Sequence, residues 1–242
     1  MRLPVIEIMD TTLRDGEQTT GVSFTRSEKL SIFRLLVEEL HIPRVEVASA
    51  RVSSGEFETV KRICEWAKQN EHLDKAEVLG FIDGGQSNSW VRDAGAKKIN
   101  LLCKGSERHC RIQLGKSPEA HIADVKEAIA DARSKGLEVN LYLEDWSNGM
   151  KDSQGYVFRL MDSLREEPVG RFMLPDTLGV LDPYDTFDYV KKMIKTYPEL
   201  RFDFHAHNDY DLAISNLFAA LKVGASGVHC TINGLGERAG NA

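Results

Sequence analysis

Phe202-Asp-Phe-His205-Ala-His207-Asn208 reads as a β-strand with its C-terminal end. Strand residues i and i+2 share a face, so His205 and His207 point the same way, with Cα atoms roughly 7 Å apart. Two imidazoles so placed can converge on one metal ion. The same spacing also fits a strand carrying two incidental histidines, and the chain on either side has to decide between these.

Downstream, Leu212–Val223 has helical periodicity ended by Gly224, and Gly227–Ile232 is a further strand. Upstream, the same alternation runs back to the N-terminus. Strand signals fall at Val5–Met9, Arg44–Ser49, Glu77–Ile82, Lys98–Cys103, Glu138–Leu143, Arg171–Leu174 and Arg201–His205. Between them lie helical stripes. Leu30, Phe33, Leu36, Val37 and Leu40 mark a helix over 27–40, and Phe57, Val60, Cys64 and Ala67 mark one opened by the capping box Ser53-x-x-Glu56. A short helix near Ser87–Ala94 stops at Gly95. Ser117-Pro118 and Asp182-Pro183 read as N-caps with proline at the first turn. Val157, Leu160, Met161 and Leu164 mark the helix between. Eight strands alternating with seven helices imply right-handed crossovers and a parallel sheet. That count fits an α/β fold of the (β/α)₈ TIM-barrel type, usually about 250 residues long. The competing doubly wound sheet is disfavoured because no Gly-x-Gly-x-x-Gly follows the first strand. The expectation is one catalytic barrel domain over 1–242. The chain stops after strand eight, so the last helix and any C-terminal subdomains are expected to be missing, leaving an apolar face uncovered.

Composition narrows the function. The 242 residues are 42% hydrophobic and 28% charged, ordinary for a globular chain. A net charge of -6 argues against nucleic acid or an anionic membrane as partner. No apolar run approaches the ~18 residues of a membrane span, and no signal-peptide core is present. Cys64, Cys103, Cys110 and Cys230 lack Cys-x-x-Cys spacing and read as reduced thiols, hence a cytoplasmic protein.

A barrel of this kind carries its chemistry at the C-terminal ends of its strands, and the polar residues gather there. Asp10-Thr-Thr-Leu-Arg14-Asp15-Gly-Glu17-Gln18 follows strand one and Glu144-Asp145 follows strand five. Pro175-Asp-Thr177 follows strand six, His205-x-His207-Asn208-Asp209 ends strand seven, and Asn233-Gly-Leu-Gly-Glu-Arg-Ala-Gly-Asn241 follows strand eight. Each has a plain alternative: Asp10 and Thr11 as a turn cap, Arg14 and Glu17 as a solvated pair, the glycines as backbone geometry. Five such clusters on one rim make the joint alternative improbable. Two histidines plus the Asp15 carboxylate form a facial metal site with open positions, and Asn241 could add an amide oxygen. Such donors suit Mn²⁺, Zn²⁺ or Mg²⁺. Arg14 could stabilise charge on a polarised carbonyl, and Glu144 could move a proton.

Three motifs, Asp10–Gln18, His205-x-His207 and Asn233–Asn241, resemble those of the HMG-CoA lyase-like barrel family, the DRE-TIM metallolyases. That family includes 2-isopropylmalate, homocitrate and citramalate synthases. The resemblance implies a metal held by Asp15, His205, His207 and Asn241. It also implies a 2-oxo acid chelating that metal, Arg14 on its keto group and Thr177 on its carboxylate. Acetyl-CoA is then the cosubstrate, Glu144 assists the proton transfers, and the protein is a homodimer. The substituent of the oxo acid should meet strands three to five, here Leu79, Leu102 and Tyr142. Bulk at these positions favours pyruvate, with barrel filling as the plainer alternative for Leu79 and Leu102. Tyr142-Leu-Glu-Asp-Trp-Ser-Asn-Gly149 resembles the citramalate synthase branch, with the 2-isopropylmalate synthases as the alternative.

Overall fold

The computed structural model describes residues 6–242. Eight parallel strands close into a barrel in chain order: β1 (Glu7–Asp10), β2 (Arg44–Ser49), β3 (Ala76–Phe81), β4 (Lys98–Lys104), β5 (Glu138–Glu144), β6 (Val169–Asp176), β7 (Phe202–Ala206) and β8 (Gly227–Cys230). Closure is made by β1 against β8, where Glu7 pairs with Gly227 and Asp10 with Cys230. Around the barrel lie α1 (Arg26–Arg34), α2 (Ser54–Gln69), α3 (Gln86–Asp93), α4 (Pro118–Ser134), α5 (Trp146–Asp152), α6 (Gln154–Leu164), α7 (Pro183–Thr196) and α8 (Ala213–Lys222). No helix among the described residues is long and apolar enough to cross a membrane.

The strands and helices sit within a few residues of the sequence expectation, and the departures have local causes. The first strand begins at Glu7, and Val5 lies outside the described residues. α1 starts earlier than its apolar stripe because Thr25 and Glu28 form a reciprocal capping box. It then widens into a π-helical turn at Leu35–Glu39. The box expected at Ser53 forms only by half: Ser53 Oγ accepts from the Glu56 N–H, but the Glu56 carboxylate turns to Lys29 instead. α5 was not foreseen. It is seven residues long and opens after Asp145, whose φ of 65° is left-handed, so neither periodicity nor a standard cap announces it. Gly149 lets α5 approach the loop after β4: a Cβ there would lie 2.1 Å from the Gly105 carbonyl oxygen.

The main core fills the space between the outer wall of the barrel and the helices, with Trp146, Phe33, Phe172, Phe202 and Phe204 among its largest fully buried side chains. On the outward side of β1, Ile8 remains 40% exposed. The barrel interior is different. It holds a small apolar group, Met9, Leu79, Tyr142 and Met173, with Leu102 against it. Beneath that group runs a column of buried charge. Arg44 donates from Nε and Nη2 to the two oxygens of Glu77, at 2.7 and 2.9 Å, and also pairs with Asp203. Arg171 donates to the other Asp203 oxygen at 2.9 Å and reaches Glu7 at the lower rim. Asn140 donates to Glu77 at 3.2 Å and to Asn100 at 3.0 Å, and Asn100 donates to Glu46 at 2.7 Å. The column thus runs from the bottom of the barrel to Glu46 beneath its mouth.

One helix-to-strand contact has a pH signature. His121 of α4 accepts the Lys104 N–H at the end of β4, at 3.0 Å through Nε2, and so must be neutral at that nitrogen. Burial pushes its pKa down from 6.5 to about 4. Between these values the unfolded chain binds the proton and the folded one does not. This contribution is therefore complete above about pH 6.5, on the order of 3 kcal/mol, and is lost as pH falls toward 4. Urea denaturation at pH 7 and at pH 4.5 should show that His121→Gln loses less stability on acidification than the wild type. Equal losses would remove His121 from the account.

Candidate metal and substrate site

The mouth of the barrel is built from loops that tie to one another. Asp10 accepts from the Thr12 N–H at 2.9 Å and from its hydroxyl at 3.0 Å, and the Thr12 hydroxyl accepts the Ile232 N–H at 2.8 Å. Asp10 is therefore a turn cap, as its plain reading has it. Burial lifts its pKa to about 6 despite those two bonds. The Thr11 carbonyl accepts from the N–H groups of Arg14, Asp15 and Gly16, folding a tight turn that aims Arg14 and Asp15 inward. Thr19 joins the same loop to the segment after β8, accepting from the Gly236 N–H at 2.8 Å and donating to its carbonyl at 3.0 Å. Glycine is required there: a Cβ on Gly236 would sit 2.2 Å from the Asn241 amide nitrogen. A Gly240 Cβ would lie 2.2 Å from the Gly234 carbonyl oxygen, and Gly240 has a φ of 94°. These glycines serve backbone geometry, and that geometry delivers Asn241 to a β-bridge with His207.

Asp15, His205 and His207 converge, with one donor atom from each lying within 4.8 Å of the others. The two Nε2 atoms are 3.4 Å apart, and Asp15 Oδ2 is 3.2 Å from His205 Nε2 and 3.9 Å from His207 Nε2. All three residues are buried. Both Asp15 oxygens, both imidazole Nδ1 atoms and Asn241 Oδ1 lack a hydrogen-bond partner. Buried polar atoms are normally paired; here the Asp15 carboxylate and the two Nε2 atoms meet with only Arg14, 3.4 Å from Asp15 Oδ1, as a nearby cation. A divalent cation fits that donor set. Burial would raise the Asp15 pKa, but Arg14 and the two imidazoles hold the carboxyl well below its usual range. His207 is pushed down to about 3 by burial and by His205, so it presents a lone pair at neutral pH.

Arg14 lies beside this cluster, with Nη1 3.4 Å from Asp15 Oδ1. It is not paired with Glu17, which overturns the solvated-pair reading. Its Nε donates to Glu46 at 2.5 Å, placing the guanidinium at the top of the interior charge column. Glu17 instead binds Lys29, a fully buried amine that holds Glu17 at 2.6 Å and Glu56 at 2.5 Å. Glu144 faces the same cavity but carries a cation partner, Lys104. Thr177 Oγ accepts the Asp145 N–H at 2.9 Å, which leaves its hydroxyl hydrogen free to donate. Arg238 clamps the rim, binding Asp209 at 2.8 and 2.9 Å and the Thr177 carbonyl at 2.9 Å. Arg14, Asp15, Leu79, Leu102, Tyr142, Glu144, Thr177, His205 and His207 all line one cavity of about 230 Å³. Asn241 is bridged to His207 through the backbone and does not line that cavity. Glu46, Asn100, Lys29 and Lys104 escaped the sequence reading. Nothing in the run Glu46-Val-Ala-Ser49 distinguishes an inward carboxylate from a strand-edge one, except that it alternates in phase with the inward Arg44.

The sequence profile of the HMGL-like family matches residues 5–242. The chain belongs to the HMGL-like family. A 2-isopropylmalate synthase of Sulfurisphaera tokodaii is 33% identical over 98% of this chain and 59% of its own length. A Methanopyrus kandleri protein named as an (R)-citramalate synthase is 35% identical over 98% of this chain and 45% of its own. The chain therefore spans roughly half the length of these relatives. Among solved structures, the HMG-CoA lyase of Bacillus subtilis superposes with a TM-score of 0.82 at 19% identity, covering 99% of this chain and 83% of that one. That likeness is of fold, and it matches the closed barrel described above.

If the three convergent side chains hold a cation, removing one should cost more than an outer-shell change, whose typical effect is about 10–100-fold. Titration of the purified protein with Mn²⁺, followed by calorimetry, should show His205→Ala and Asp15→Asn weakening binding by more than about 100-fold. Unaltered affinity in both variants would rule the site out.

Proposed function

We propose that this barrel condenses acetyl-CoA with a 2-oxo acid, and that the acid is pyruvate, giving citramalate and free CoA. What carries the reading is the meeting of Asp15, His205 and His207 with Arg14 at the base of a cavity walled by Leu79, Leu102 and Tyr142. A divalent ion held there by Asp15, His205 and His207, with Asn241 Oδ1 as a further donor, would supply Lewis acidity and a chelation point for the keto and carboxylate oxygens. The rest is done by the chain's own groups. Arg14, permanently charged and held by Glu46, faces the keto oxygen and stabilises the negative charge that gathers on it as the new bond forms. The free hydroxyl hydrogen of Thr177 donates to the carboxylate and fixes the acid's orientation. Glu144 accepts a proton from the acetyl methyl group. Its ion pair with Lys104 holds the carboxylate at the rim of the cavity. The methyl carbon adds to the keto carbon, the keto oxygen gains a proton, and water cleaves the thioester to release CoA.

Pyruvate is favoured by the cavity walls. Leu79 and Tyr142 are buried in the interior apolar group and Leu102 packs on it, so a larger substituent would have to displace one of them. The second reading, 2-oxoisovalerate as acceptor, draws support from the relatives named as 2-isopropylmalate synthases. The synthase reading leaves partners as small molecules, and a homodimer and a cytoplasmic location belong to the same proposal. In a CoA-thiol release assay with Mn²⁺, kcat/KM for pyruvate should exceed that for 2-oxoisovalerate by at least about tenfold. Leu79→Ala should shrink that ratio through the KM of the larger acid. A wild-type preference for 2-oxoisovalerate would reverse the choice of substrate.

A further inference from the structure

Tyr142 is the bulkiest wall of the cavity, and its outer end is not free. Its Oη lies 3.1 Å from Nδ1 of His229, a fully buried side chain on β8 whose register partner is His205. The other ring nitrogen, His229 Nε2, has no hydrogen-bond partner and sits 3.7 Å from Asp203 Oδ2. Asp203 accepts from both buried guanidiniums, Arg44 on Oδ2 and Arg171 on Oδ1. A carboxylate only accepts, so the ring nitrogen facing it carries the proton, and Nδ1 presents a lone pair. The Tyr142 hydroxyl must then be the donor. Its hydrogen points away from the cavity, toward the charge column.

This tether matters because the other contacts to the ring lack direction: Leu79 and Leu102 pack on it, and the Arg14 guanidinium lies 6.0 Å from its centroid. Met9 and Met173, packed in the same group, are flexible side chains that adapt to a moved partner. The aromatic contacts, edge-on to His205 at 6.0 Å and to His229 at 5.5 Å between centroids, restrain the ring weakly. The directional contact is the hydrogen bond. We propose that His229, oriented by Asp203, is a positioning residue that sets the upper size of the 2-oxo acid substituent by fixing Tyr142 across the cavity. The proposal rests on the reading that the cavity takes a 2-oxo acid. It goes further in assigning selectivity to a residue that does not line the cavity.

The test is calorimetric binding of pyruvate and of 2-oxoisovalerate to Mn²⁺-loaded protein, with Mn²⁺ affinity measured alongside. Three variants are compared with wild type: His229→Leu, His229→Gln and Tyr142→Phe. His229→Leu and Tyr142→Phe should each lower the preference for pyruvate by about tenfold, mainly through tighter binding of the larger acid. His229→Gln, whose amide oxygen can accept the same hydrogen bond, should keep the preference within about threefold of wild type. Tyr142→Phe removes the tether without opening a cavity, so the result does not depend on His229→Leu folding well. An unchanged preference in Tyr142→Phe, an equal loss of both acids, or a fall in Mn²⁺ affinity that accounts for the change would overturn the role of His229. A wild-type protein that binds neither acid would overturn the functional reading itself, visibly and before any variant is compared.

Discussion

Charge enclosed in a barrel cannot fall back on water, and the matching of Arg14, Arg44 and Arg171 with Glu46, Glu77 and Asp203 is the constraint the rest of this structure obeys. An unpaired ion at such depth costs several kcal/mol. The asparagines 100 and 140 complete the pairing by spanning the gap between Glu77 and Glu46. A barrel interior filled only by branched aliphatic side chains would be easier to assemble. This one uses its lower layers to present one arginine, at a set orientation, at its mouth.

The consequence is a site whose parts are held from below and from the side. From below, Glu46 fixes Arg14, and Asp203 through His229 fixes Tyr142. From the side, the loop after β1 is stitched to the loop after β8 by Thr12 and Thr19, and to α1 and α2 by the buried Lys29. The loops after β6, β7 and β8 meet at Arg238. Asp15 follows β1 and His205 and His207 close β7, and this bracing helps keep their donor atoms near a common point beside Arg14.

Glu144 and Lys104 illustrate how neighbouring strands pair functional groups. The two residues are register partners on β5 and β4, so their side chains leave the same rim side by side. His121 anchors the backbone of Lys104 from the helical layer, and Asp145, in its left-handed conformation, turns its N–H onto Thr177. A carboxylate and a hydroxyl thus share one edge of the cavity, with the carboxylate's cation partner beside them.

Much of this was legible in the residues. Period-two and period-3.6 patterns locate the strands and most helices because burial of one face is a local property of sequence, and the caps at Ser117 and Asp182 act over three residues. His205-x-His207 declares a shared face by strand geometry alone. The pairings that orient the site were not legible. Glu56 leaves its own helix cap for Lys29, Glu46 reaches Arg14 across 32 positions, and Tyr142 meets His229 across 87. α5 hides because its start is set by one strained residue and its packing by a glycine. The sequence by itself determined which faces are apolar, hence the barrel and the rim on which the polar groups stand. Only tertiary structure decided which charge meets which, because a buried ion takes whatever partner barrel closure brings within reach, and closure is a property of the whole chain.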